Sequence, residues 1–478
     1  MGSMRWLISG SVLGLALVLV FYQLGDGSLY DWDEAIYAQS AKEMLRSGVW
    51  GTLSWNGSPF FHKPPLYVWL TALTYQLIGI SELAARLWSA IFGFGVIVLT
   101  FVLGVRFHSW AVGAGAALLL LGIDQSAYSH KFNFLSQARV GMLDIPLTFW
   151  IVAAQVLIWE AGQRPWVIAC IGLPTGLAVM TKAWPGLFAL MIPLGYWLLT
   201  RPRRSRQTGY WIIAGACTGI IMLPWHLWQS WTHGALFLQD YVGVNLLGRL
   251  SQVIEAHDEG PLFYLDIMRR GFSLWGYVWL LAYVWGVRQA WHRGDRRMWL
   301  LLSWVTVPLV VFSMAQTKLG NYITMIYPAI ALLVALALAE LLTDRVAFGV
   351  IAAVMAVCCI RFPIAADGSP AVKPLAAYVA EHLGSDARMY VVERECRPLG
   401  PSPPQAIPAN PGQDVQPSLR FYIPADRRLH CLEVRDLREA FPWQSAHVII
   451  GYELWGQIGY TGQVEFKGDE HVLLRGHQ

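Results

Sequence analysis

Three acids crowd the run Tyr30-Asp31-Trp32-Asp33-Glu34-Ala35-Ile36-Tyr37-Ala38. Like charges this close repel unless a cation, a metal or a charged substrate offsets them. Further on, the chain reads Phe60-Phe61-His62-Lys63-Pro64-Pro65. The double proline bars helix just before it and fixes the start of the next span, so His62 and Lys63 are held at one place. Taken alone, Lys63 is an interface lysine with its ammonium in water, and His62 a surface residue. More ionisable residues interrupt apolar sequence: Asp144 before Ile145-Pro146, Lys182 after Met180-Thr181, and Lys318 before Leu319-Gly320-Asn321-Tyr322. A charge deep in a bilayer costs about 2.5–3.5 kcal/mol on the mildest scale, and much less at a span end. An acid-rich stretch adds Asn245, Arg249 and His257. Carboxylates facing Lys and Arg suit a substrate with a phosphate group and a hydroxyl partner.

Those residues need elements to hold them. From Asp33 to Leu45 the spacing is helical, with Tyr37, Ala38, Ala41, Met44 and Leu45 on one face and Asp33 where an N-cap would sit. That predicts an amphipathic helix lying along a membrane surface. The composition agrees. Of 478 residues, 55% are hydrophobic and only 14% charged, where an ordinary soluble chain carries roughly 25% charge. The 24 Trp suit a membrane–water interface. The net charge of +4, with no long basic block, argues against a nucleic-acid surface. There is no Walker A loop, no HExxH and no glycine-rich dinucleotide fingerprint, so ATP-driven transport and membrane metalloproteolysis have no support.

Candidate spans of about 20 apolar residues are 6–24, 65–80, 83–104, 143–161, 166–181, 184–200, 210–231, 271–288, 298–314, 322–342 and 346–362. The stretch 106–142 crosses once or twice. Basic loops belong in the cytoplasm. Arg201, Arg203, Arg204 and Arg206 mark one, and Arg288, Arg293, Arg296 and Arg297 another. Loops 25–64 and 232–262 are acidic. Two crossings, near 110–123 and 125–141, put both basic loops inside and both acidic loops outside. The expectation is 13 spans: a membrane domain over 1–362 and an extracytoplasmic soluble domain over 363–478. The latter region holds 14 Asp/Glu against 11 Lys/Arg. Runs 388–392 and 447–451 read as strands and 373–383 as an amphipathic helix, giving a small α/β or α+β fold. Cys396 and Cys431 fall there, and a bridge between them is about as plausible as two separate thiols.

The ordered set of motifs resembles a family. Asp33-Glu34-x-x-Tyr37-Ala38, Glu43-Met44-Leu45, Gly48-x-Trp50, Asn56-Gly57-x-Pro59, Lys63-Pro64-Pro65-Leu66-x-x-Trp69 and Leu83-Ala84-Ala85-Arg86-Leu87 come first. Arg139 with Asp144, Gly176 through Lys182, Pro224-Trp225, and Lys318 with Tyr322 complete the set. Together they resemble the polyprenyl-phosphate-dependent glycosyltransferases with the C-type membrane fold. The bacterial aminoarabinose (lipid A) transferases are the nearer look-alikes, the protein O-mannosyltransferases the more distant. The resemblance implies a polytopic helical membrane enzyme of a bacterial inner membrane. It would move a sugar from an undecaprenyl-phosphate-like carrier to lipid A or another envelope glycan at the extracytoplasmic face.

It also implies roles. Asp33 matches the essential acid, and Asp144 the second acid of the cavity, with Glu34 a further candidate. Lys63, Arg249 and Lys318 match phosphate-side cations, Tyr37 and Tyr322 tyrosines of the phosphate site, and Lys182 joins the substrate-binding set. Three features depart from the family. His62 stands where a Glu usually precedes Lys-Pro-Pro. Gly320 replaces a usual Pro, and the C-terminal domain matches nothing placed. In the lipid A transferases that Glu can help hold a divalent metal. His62 and His257 are the corresponding candidate ligands, for zinc or a similar ion. Expected partners are the lipid-linked donor, a lipid or glycan acceptor and membrane lipids, with a monomeric chain. The alternatives are a protein O-mannosyltransferase and, in another class, a lipid or solute transporter. The latter would call for internal repeats and midplane charges that are not evident.

Overall fold

The structure is a computed structural model. It describes residues 2–122, 133–200, 206–248, 251, 259–271, 276–359, 368–384, 387–393, 417–423, 429–433, 446–451, 455, 463–468 and 471–475. The chain forms two compact units. One holds 1–24, 63–67 and 86–364; the other holds 25–62, 68–85 and 365–478. The division at 362/363 expected from composition therefore leaves out the first loop, which groups with the C-terminal residues.

The first unit is helical. Its early elements are α1 (Gly2–Phe21), most of α4 (Glu82–Phe107), α5 (Trp110–Leu121), α6 (Phe134–Ala138) and α7 (Asp144–Glu160). Four described helical runs are long and apolar enough to cross a bilayer: Glu82–Phe107, Gln207–His233, Arg296–Met314 and Gly320–Leu341. Shorter apolar helices include Trp110–Leu121, Val167–Lys182 and Trp184–Thr200. The polytopic helical architecture expected from the sequence is present.

Polar contacts sort the helix ends into two layers. In one, Arg106 at the end of α4 binds Glu160 at the end of α7 at 2.6 Å. Arg297 donates to the Phe107 carbonyl at 3.1 Å and to Glu340 at 2.9 Å. His108 lies 3.2 Å from Asp344. In the other layer, Arg86 near the start of α4 donates to the carbonyl of Leu24, just past α1, at 3.3 Å. Arg139 donates to the carbonyls of Leu19 and Val20 at 2.8 and 3.3 Å.

These contacts correct two of the expected spans. Because α4 begins on the face where α1 ends, the helix between them, α3 (Leu66–Ile78), adds no crossing. Likewise the Arg106–Glu160 bond puts residue 106 opposite Asp144, so the chain between them makes an odd number of crossings, and α5 is the longest helix described there. The described part of 125–141 agrees, with only the five residues of α6 in helix. Thirteen less two leaves eleven expected crossings. The two corrections cancel in parity, so every loop after Asp144 keeps its expected side.

The second unit contains α2 (Asp33–Ser47), a hairpin of β1 (Ser54–Trp55) and β2 (Ser58–Pro59), most of α3 and the C-terminal domain. The hairpin turns on Asn56 and Gly57, both at positive φ (52° and 76°), as an Asn-Gly turn requires. Glu43 of α2 fastens it, accepting from the amides of Asn56 and Gly57 at 2.9 and 3.2 Å. The C-terminal sheet has the order β4-β3-β5-β7-β6, from β3 (Arg388–Glu393), β4 (Leu429–Glu433), β5 (Ala446–Gly451), β6 (Gln463–Lys467) and β7 (His471–Arg475). Strand β3 is parallel to β4 and β5, and β7 is antiparallel to β5 and β6. The helix Val372–His382 lays Leu375, Ala376 and Val379 against Met389, Val391, Ile449 and Leu473. A small domain of mixed sheet and helix, as expected, is present. Cys396 and the Cys431 side chain lie outside the described residues.

Candidate functional site

The candidate residues divide between the two units. In the second, α2 starts at Asp33 with Trp32 in the N-cap position, where no side chain caps the helix. Asp33 is thus a first-turn residue and not the N-cap expected from its spacing. Its Oδ1 accepts from the Tyr37 hydroxyl, one turn on, at 3.1 Å. The Glu34 carboxylate reaches back to the Tyr30 amide at 2.7 Å and is 1% exposed. Asp31 accepts from the Ser418 amide at 2.9 Å and the Ser369 hydroxyl at 3.2 Å. Each of the three crowded carboxylates therefore accepts from an N–H or O–H donor. Asp33 keeps part of its surface open while Glu34 is sealed. The ring of His62 lies 4.7 Å from that of Phe60.

In the first unit, Asp144 begins α7. Its Oδ1 lies 2.5 Å from the Lys182 ammonium, and its Oδ2 accepts from Asn321 Nδ2 at 3.0 Å. Both members of the ion pair are buried. The Lys182 ammonium also sits 5.5 Å from the centre of the Tyr322 ring, and Tyr322 packs on Phe312. Lys182 ends its helix Gly172–Lys182, and the next residue, Ala183, has φ 59° and ψ −139°, a conformation that a non-glycine residue holds only under constraint. Asp144, Lys182 and Tyr322 thus come together, with Asp144 engaged as a counter-ion. Nearby in sequence, Lys318 is 6% exposed.

Lys63 acts electrostatically on a residue that the motifs did not single out. Asp240 lies in a π-helix, Leu238–Gly248, a rare geometry frequent at functional sites. Asn245 Nδ2 donates to its carbonyl at 3.0 Å. Burial pushes the Asp240 carboxyl up to about 6, while the Lys63 ammonium pulls it the other way. Beside it, the Tyr241 hydroxyl is 2.8 Å from His226 Nε2, and the Tyr241 ring stacks on Phe237. The sequence shows Asp240 only as part of the acidic loop 232–262; an acid in a Phe-x-x-Asp-Tyr run beside an apolar span is the available signal. Arg249 and His257 lie outside the described residues. Among the described residues, no three His, Cys, Asp or Glu gather so as to hold a metal ion.

Known proteins share both sequence and fold with this chain. The family model described as dolichyl-phosphate-mannose-protein mannosyltransferase matches residues 10–235. An undecaprenyl phosphate-alpha-4-amino-4-deoxy-L-arabinose arabinosyl transferase of Pseudomonas fluorescens is 30% identical over 350 residues, 71% of this chain and 60% of that protein. The chain spans about three-fifths of the length of the curated relatives it matches. Among solved structures, ArnT from Cupriavidus metallidurans bound to undecaprenyl phosphate superposes with a TM-score of 0.74 at 19% identity, covering 97% of each chain. The Archaeoglobus fulgidus oligosaccharyltransferase in complex with Zn and sulfate gives 0.60 at 13% identity, covering 93% of this chain and 68% of that one. The chain has the C-type membrane fold; it resembles the aminoarabinose transferases in sequence and in fold, and the protein mannosyltransferases in sequence over residues 10–235.

Proposed function

We propose that this chain is a glycosyltransferase that moves a sugar from a polyprenyl phosphate, undecaprenyl phosphate or similar, to lipid A or another envelope glycan. We place the reaction at the extracytoplasmic face of a bacterial inner membrane, where the positive-inside rule puts the loops carrying Asp33, Lys63 and Asp240. The observation that carries the reading is Lys318, an ammonium 6% exposed for which no ion pair is found among the described residues. A buried lone cation is costly, and a lipid phosphate would relieve it. Lys63 and Arg249 would share that charge, with Tyr37 and Tyr322 as hydroxyl donors. In the transfer, the acceptor oxygen bonds to C1 of the sugar as the bond from C1 to the phosphate oxygen breaks. The electron pair leaves on the phosphate, where the cations stabilise it. The acceptor proton passes to Asp33. We assign Asp144 to holding Lys182, and through it Tyr322, in place.

A divalent ion is left out of these steps. His62 and His257 remain the residues to test; His257 lies outside the described residues, among which no three His, Cys, Asp or Glu gather so as to hold a metal ion. The mannosyltransferase family match over 10–235 favours one second reading, with a protein hydroxyl as acceptor. The test is transfer by purified protein in detergent, without a gradient, from a labelled polyprenyl-phosphate sugar. Label moving to lipid A supports the first reading, and label moving to protein supports the second. Donor left intact with every acceptor would overturn both and return transport to consideration.

A further inference from the structure

The segment that carries Asp33 is fastened by the C-terminal domain on both sides. Upstream, the Ser369 amide donates to Ser28 Oγ at 2.7 Å, and the Leu29 amide donates to the Tyr422 hydroxyl at 2.8 Å. Asp31 then receives the Ser418 amide and the Ser369 hydroxyl. Downstream, the buried ammonium of Lys42 donates to the Phe421 carbonyl at 2.6 Å and lies 5.1 Å from the centre of that ring. Ser418, Phe421 and Tyr422 all belong to one short helix, Pro417–Tyr422.

Between the two fastenings sits Trp32, with φ 68° and ψ −124°. A bulky residue at positive φ is an outlier that persists only where its surroundings over-determine it. Trp32 is 62% exposed, so packing of its own side chain does not hold it there. The bonds on either side do.

We propose that Asp31 and Lys42 are positioning residues: held by the helix Pro417–Tyr422, they fix the turn at Trp32 and with it the direction of the Asp33 carboxylate. This rests on the reading of Asp33 as the catalytic base. It gives the C-terminal domain a part in turnover, and it explains why a strained residue directly precedes the acid. A misplacement of about 1 Å can cost about 100-fold in rate, so a loosened turn acts on kcat while donor binding stays.

The test uses the full chain in detergent, with Asp31→Ala, Asp31→Asn and Lys42→Met. Three quantities are read: amide hydrogen exchange over residues 33–44, kcat, and KM for the polyprenyl-phosphate sugar. Asp31→Ala and Lys42→Met should speed exchange and lower kcat about 10- to 100-fold, with donor KM within about twofold. Asp31→Asn keeps an oxygen for the Ser418 amide and should recover most of the rate. Lys42→Met keeps the apolar stem, so it carries the comparison if Asp31→Ala does not fold. Unchanged kcat, with or without faster exchange, overturns the proposal; so does a kcat loss without faster exchange. Asp33→Asn is measured in parallel. If that variant stays active, the acid assignment has failed, and this is separable from failure of the clamp because exchange does not depend on the chemistry of Asp33.

Discussion

Lys182 and Asp144, 38 residues apart, meet in a buried 2.5 Å ion pair that Asn321 completes from a third segment. Removing one member of such a pair leaves a buried charge alone and costs about 3–5 kcal/mol, whereas replacing both by apolar residues is often neutral. Asp144→Ala and Lys182→Met should therefore each lower the unfolding temperature strongly, and Asp144→Leu combined with Lys182→Met should restore it. Sugar transfer by the double variant then assigns the pair. Activity within about tenfold of the parent fits a counter-ion role. A stable but inactive double variant would make Asp144 a reacting group.

The helix-end contacts predict the topology more sharply than hydropathy does. A reporter inserted after His108 should read cytoplasmic, with one after Arg204, because Arg106 and Phe107 share a layer with Glu160 and Arg297. A reporter after Gly79 should read extracytoplasmic, with one after Glu259. The 13-span arrangement inverts the first and third of these assignments. The paired readout at Gly79 and His108 therefore decides between eleven and thirteen crossings.

The residues explain why sequence reached the fold but not its details. Apolar runs and basic loops are local, so the helical membrane class and the sides of loops 201–206 and 288–297 were legible. The same reading took Leu66–Ile78 for a span, because hydropathy registers apolar content and not which neighbour a helix meets. The Arg86 contact with Leu24 reveals that α4 starts where α1 ends. The site shows the same division. The type and order of Asp33, Lys63, Asp144 and Lys318 were visible. That Asp144 is spoken for by Lys182, and that Asp31 is bound by residues 338 and 387 positions away, depends on contacts that no spacing rule encodes.

Asp240 makes a pH prediction. Its folded-state value of about 6 lies above the ordinary 3.8, through burial and against the pull of Lys63. A raised value means that its contribution to stability is full below the unfolded value and is lost as pH rises through about 6. Thermal unfolding in detergent should show the parent losing more stability than Asp240→Asn between pH 5 and pH 7.5. Equal losses would discount the burial of the group.

Lys63 should meet the donor phosphate in competition with Asp240. Lys63→Ala is expected to weaken binding of the polyprenyl phosphate about tenfold or more, the worth of one charge-assisted bond. Asp240→Asn is expected to tighten it at pH 7.5 and to flatten its dependence on pH, since the neutral amide no longer draws the Lys63 charge. Titration calorimetry with polyprenyl phosphate at two pH values reads both effects. Unchanged affinity in Lys63→Ala would leave Lys63 as an interface lysine.

Asp33 is the sharpest case. The helix begins at Asp33 without using it as a cap, so Asp33→Asn removes no capping bond. The amide oxygen of Asn can still accept from the Tyr37 hydroxyl, now 3.1 Å from Asp33 Oδ1. The substitution is thus nearly isosteric and changes one property, the ability to take a proton. If Asp33 is the general base, turnover should fall about 10²–10⁴-fold. Affinity for the polyprenyl phosphate should hold within about threefold, because the cations that meet the phosphate carry the larger share of binding. The measurements are sugar transfer and donor binding on the same monodisperse preparation. Transfer within a few-fold of the parent would remove Asp33 from the chemistry. Glu34 would be a poor successor, being 1% exposed with its carboxylate bound to the Tyr30 amide. Asp144 would then be the acid to test, in the Lys182→Met background that frees it.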